Sequence, residues 1–160
     1  MKTTRIIGIV IIVIVIIAAV VGLWVGGGGT NSPASQASAA SSTVAAFGKT
    51  LQQVSLLAPN ASSTIASTYA PYVDPSLLKQ WEANPQSAPG RVVSSPWPDH
   101  IQIDSVTPQG SGYVVDGKLI FMTSDNTAHG GNAGTTPIVA QLLQENGSWM
   151  IIAFQGQKQH

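Results

Sequence analysis

Residues 6–25 (IIGIVIIVIVIIAAVVGLWV) run for twenty positions without a charge, a proline or a hydrogen-bonding side chain other than the Trp24 indole. A helix rises about 1.5 Å per residue, so such a run spans about 30 Å, the thickness of a bilayer's hydrocarbon core. Isoleucine and valine favour strands in water, but strands of globular domains are far shorter than this. In lipid the backbone must satisfy its own hydrogen bonds, which makes the run a helix. Lys2 and Arg5 precede it and the next cation is Lys49. The positive-inside rule then keeps residues 1–5 in the cytoplasm and sends everything after residue 25 outside. The pattern predicts an uncleaved single-pass anchor at the cell membrane. A secretory signal, the alternative, has an apolar core of only about 7–15 residues, and the nearest small-residue cleavage pattern here, Ala37-Ser38-Ala39, is distant.

Residues 26–42 (GGGGTNSPASQASAASS) carry four glycines and a Ser/Ala/Gln run. Too little apolar surface is present to offset the entropy of ordering, which predicts a flexible linker. The domain proper is expected over residues 43–160. Val44, Phe47, Leu51 and Val54 recur at helical spacing and predict a helix over 43–57. A second helix is predicted over 62–72, with Ile65, Tyr69 and Tyr72 on one side and Pro71 interrupting it. Asp74-Pro75 is an N-cap followed by proline at the first helical position, opening a third helix with Leu77, Leu78 and Trp81 inward.

Residues 84–99 (NPQSAPGRVVSSPWPD) contain four prolines and a glycine and predict a bent connection, with a short edge strand at 91–94. The period then changes to two. Residues 100–106 place Ile101 and Ile103 inward and His100, Gln102 and Asp104 outward. Residues 113–124 predict a long strand, broken or bulged at Gly117, and 125–135 a loose glycine-rich loop. Residues 138–144 and 149–155 form a hairpin across Asn146-Gly147, the strongest short hairpin signal.

Helices followed by antiparallel strands predict an α+β domain with short helices packed on one face of a curved, cone-like antiparallel sheet. The helical opening, the strand ending GKLIFMTS and the closing GSWMIIAFQ after an Asn-Gly turn resemble the nuclear-transport-factor-2-like (cystatin-like) superfamily. The chain is most similar there to small membrane-anchored bacterial domains, some of which resemble accessory subunits of conjugation and type IV secretion machines. The resemblance implies a binding or scaffolding role in a cell-surface or secretion assembly. Enzymes exist in the superfamily, but the polar residues that its isomerases and dehydratases place in the cone do not map onto this chain.

Composition narrows this further. Charged residues make up 9% of the chain, against about 25% in ordinary soluble proteins. Beyond the anchor there are five basic residues (7 − 2) against seven acidic ones, so no basic patch exists for nucleic acid. There is no cysteine, which excludes disulfides, thiol catalysis, cysteine-bound metals and a lipidated cysteine. No cofactor is implied.

Candidate chemistry is sparse. His129-Gly130-Gly131-Asn132 is similar to an esterase oxyanion loop, but no GxSxG elbow accompanies it. His100 and Asp104 stand four apart on one strand, two metal ligands without the third that catalytic zinc takes. Asp99 and Asp104 beside His100 offer acid–base groups only if a pocket encloses them. The residues therefore predict no catalytic and no metal site. Arg91, among prolines and near Trp97, is a candidate to bind an anion; it could instead stack on that ring or pair with Asp99 to pin the bend. Trp97, between two prolines, is the aromatic expected to meet a partner or line the cone mouth. The closing strands are apolar on both faces: Ile138, Ala140 and Leu142 alternate with Val139 and Leu143, Trp149, Ile151 and Ala153 with Met150, Ile152 and Phe154, and Tyr113, Val115, Leu119 and Phe121 with Val114, Ile120 and Met122. A one-layer sheet should show polar residues on its free face. A homodimer or protein partner is thus expected on a sheet face, with Tyr113, Val139 and Ile151 as contact candidates. A small-ligand or enzymatic domain using the cone pocket is the alternative.

Overall fold

A computed structural model describes residues 32–156 of the chain. The expected anchor at 6–25 lies outside the described residues, and no helix among them is long and apolar enough to cross a membrane.

Helix α1 (Pro33–Thr50) begins ten residues before the predicted start. Ser32 caps it, accepting a 3.2 Å hydrogen bond from the Ser35 N–H, and Pro33 takes the first helical position, where a missing N–H is harmless. Most of the expected linker is therefore helix. The reason lies in its small residues: Ala37 and Ala40 extend the stripe of Val44, Phe47 and Leu51 by a further two turns, and Ala40 is fully buried. Alanine is also the best helix former. The helix tightens into a 3₁₀ turn at Leu51–Gln53.

Helix α2 (Ala61–Tyr69) buries Ile65 and Tyr69. Helix α3 (Pro75–Ala83) starts as its sequence predicts, with the Asp74 carboxylate accepting from the N–H groups of Ser76 and Leu77. Trp81 is its buried residue.

Four strands follow: β1 (Trp97–Gln109), β2 (Gly112–Met122), β3 (Gly134–Glu145) and β4 (Ser148–Gly156). They form one antiparallel sheet in the order β1-β2-β3-β4. The fold is α+β, as the order of elements predicts. Asn146 and Gly147 join β3 to β4 with φ of 50° and 84°, the left-handed pair that a two-residue hairpin turn requires. The predicted loose loop after β2 instead holds a short helix, α4 (Ser124–His129), closed by a reciprocal capping box between Thr123 and Asn126. The predicted edge strand at 91–94 is reduced to a single bridge between Arg91 and Ser55.

The predicted irregularity at Gly117 falls on the opposite strand. β1 shifts register between Ile103 and Ser105, facing Gly117, with Asp104 as the extra residue. β1 has a further extra residue, Asp99, between Pro98 and His100, and Ile152 interrupts β4: Phe154 pairs with Ala140 and Ile151 with Leu142. An extra residue reverses the alternation beyond it. Phe154 therefore joins Ile151 and Trp149 on the inner face, not the opposite one. There Val115, Ile138, Ala140, Leu142 and Ile151 pack against α1 in one core. Phe47 is its centre, with ring centroids 4.9 Å from Tyr69, 6.2 Å from Trp81 and 5.5 Å from Phe154.

Candidate functional site

The chain between α3 and β1 crosses the inner face at the end of the sheet where β1 begins and β4 ends, forming a strap. Local chemistry keeps it irregular, since proline removes donors that a further strand would need. Tertiary bonds hold it in place. The Tyr69 hydroxyl donates to the Pro89 carbonyl at 2.7 Å, and the Gln86 amide to the Leu56 carbonyl at 2.8 Å. The Arg91 N–H donates to Val54 at 2.8 Å, and the Arg91 carbonyl accepts from Leu56 at 2.9 Å. Burial pushes the Tyr69 phenol well above the usual tyrosine range.

Between strap and sheet lies a cavity of about 510 Å³, within the range of ligand sites. Leu119, Phe121, Thr136, Ile138 and Phe154 form its floor; Ala88, Pro89, Val92, Pro96 and Pro98 contribute to its roof. No charged side chain among the described residues lines it. Thr136 is the one buried polar residue among those described, 7% exposed, and its hydroxyl makes no hydrogen bond within the described residues. The oxygen is not sealed into the core but remains accessible from the cavity. Val92 and Val93 stand 43% and 50% exposed at the rim.

The residues expected to bind are scattered. Trp97 opens β1 on the outer face, paired with Met122, and does not line the cavity; its neighbours Pro96 and Pro98 do. Strand alternation turns the ring away from the prolines' side. The Arg91 side chain makes no ion pair or ring contact among the described residues, so the expected pinning by Asp99 is replaced by its backbone bonds. Tyr113 and Ile151 are core residues, at 7% and 0% exposure. Tyr113 packs edge-on against Trp149 at 5.2 Å and donates to the Pro33 carbonyl at 3.0 Å. Val139 is on the outer face, between Asp116 and Gln155, half-buried. That face is mixed: Gln102, Asp116, Lys118 and Gln141 share it with Val114, Ile120, Met122, Val139 and Leu143.

The polar candidates pair locally. His100 Nδ1 meets Asp99 at 2.7 Å, Lys118 meets Asp104 at 3.2 Å, and His129 Nδ1 meets Asp125 at 2.9 Å. His100 and Asp104 therefore do not converge, and among the described residues no three His, Cys, Asp or Glu side chains group to hold a metal. None of these groups reaches the cavity. Sequence reasoning missed Thr136, whose signal was present: it stands in phase with Ile138, Ala140 and Leu142, a polar residue on an inward position.

By sequence, the chain matches no family profile and no curated protein. Two solved structures are similar to it. One is the intermembrane space region of the chloroplast protein ARC6, at 16% identity over 73% of this chain and 90% of that one, with a TM-score of 0.39. The other is the type VI effector–immunity complex Tae3–Tai3 from Ralstonia pickettii, at 16% identity over 82% and 99%, with a TM-score of 0.41. Likeness at this level carries neither a family nor a function to this chain, and the nuclear-transport-factor-2-like resemblance gains no finer support than a small α+β fold.

Proposed function

We propose that the chain is a binding domain, tethered outside the cell membrane by residues 6–25, that captures an apolar group in the cavity beneath its proline-rich strap. The cavity carries this reading: about 510 Å³ of space with a largely apolar floor and roof. Catalysis is disfavoured by where the described titratable groups lie, since none of them lines that space and general acid–base work needs one there. The rim supports a second reading, in which a partner protein of a surface or secretion assembly inserts an apolar side chain, because Val92 and Val93 are exposed there.

Full-length protein extracted from membranes, with copurified small molecules identified by mass spectrometry, tests the first reading. An apolar compound should accompany the wild type and be depleted in Ala88→Phe, which fills the cavity, and in Val92→Glu, which charges its exposed rim. Identical profiles in all three, with each variant melting cooperatively, would sink it. Membrane attachment is tested separately: the chain should resist carbonate washing, and protease outside intact cells should remove the domain. Release of a soluble form starting near Ser38 would identify residues 6–25 as a signal peptide.

A further inference from the structure

Resting on the binding role just given to this cavity, we propose that it selects uncharged apolar ligands bearing one hydrogen-bonding group, such as a long-chain alcohol, and that Thr136 holds that group. Three observations converge. The walls carry no charged side chain among the described residues, so a carboxylate or ammonium would surrender its hydration without gaining a partner there. The two strap residues with polar side chains that line the cavity donate elsewhere: the Gln86 amide to Leu56 and the Ser87 hydroxyl to Asn84, at 2.8 and 2.7 Å. Thr136 is all but 7% buried, faces the cavity and has no partner within the described residues. Its position is in phase with Ile138, Ala140 and Leu142, where valine, of the same shape, would pack without leaving a hydroxyl to satisfy. The geometry thus places one hydroxyl, without a partner among the described residues, at the floor of a largely apolar space.

The test uses the full-length chain in membrane vesicles and three diazirine-bearing photoprobes of one length: decanol, decanoate and decane. Crosslinked peptides are mapped by mass spectrometry at half-saturating probe and neutral pH. Decanol should label the strap and the β2–β3 floor, be displaced by excess plain decanol, and exceed decanoate there by about a hundredfold. Thr136→Val should lower decanol labelling about threefold to tenfold, leave decane labelling unchanged, and Thr136→Ser should restore decanol. Equal labelling by all three probes, unaltered in Thr136→Val, would overturn the selectivity while leaving capture of apolar groups standing. Absence of any displaceable label in the cavity would overturn both.

Discussion

The Tyr69 hydroxyl reaches from the end of α2 to the Pro89 carbonyl, 2.7 Å away, so a helix residue 20 positions upstream holds the roof of the cavity. Tyr69→Phe keeps the ring in its contacts with Phe47 and Trp81 and removes only this bond. It should lower stability by about 1 kcal/mol and speed hydrogen exchange in the strap selectively. Unaltered exchange there would mean that the backbone bonds at Arg91 suffice.

The same residue sets an alkaline limit. Burial raises the Tyr69 pKa in the folded state, so above the unfolded value of about 10 the unfolded chain sheds a proton that the folded chain keeps. Stability from this group is fully present below that pH and falls above it, by up to about 1.4 kcal/mol per pH unit. Denaturation of residues 31–160 between pH 9 and 11 should show this slope in the wild type and a shallower one in Tyr69→Phe. Parallel curves would contradict the buried-phenol account.

Trp81 is 4% exposed and stacks 6.2 Å from Phe47. Trp81→Ala should destabilise the domain by about 3–5 kcal/mol, as aromatic core truncations do. A loss under about 1 kcal/mol in urea titration would show that α3 is not docked by this ring.

Val139 and Ile151, both expected as contact residues of a sheet face, lie on opposite faces of the sheet. Ile151→Lys buries an unpaired charge at a site with 0% exposure and should prevent folding, whereas Val139→Lys on the outer face should change stability by less than about 1 kcal/mol. Circular dichroism separates the two. The folded Val139→Lys protein then reads the outer face: if that face joins two copies, sedimentation at micromolar concentration should show a dimer in the wild type and a monomer in the variant.

Short-range chemistry was legible in the chain. Asp74-Pro75 starts α3, Asn146-Gly147 turns the last hairpin, and the Val44–Phe47–Leu51 spacing marks the buried side of α1. Each of these signals is complete within one or two turns of backbone, because caps, turns and helical stripes are satisfied by neighbours in sequence. The order of helices and strands likewise sufficed for the α+β class.

Three features needed the tertiary structure. Residues 33–42 read as linker because alanine and serine carry little hydrophobic signal, yet Ala40 is fully buried once the sheet lies against it. The face of Phe154 depended on one extra residue, Ile152, whose place is set by pairing with β3 and not by the strand's own alternation. The cavity arises only where the strap, positioned by Tyr69 and Val54, crosses a floor built from β2, β3 and β4. No local pattern encodes a space between segments that meet only on folding. Thr136 shows the division most plainly: its inward phase is written in the strand, but whether an inward hydroxyl meets packed core or open space is decided by what the rest of the chain lays over it.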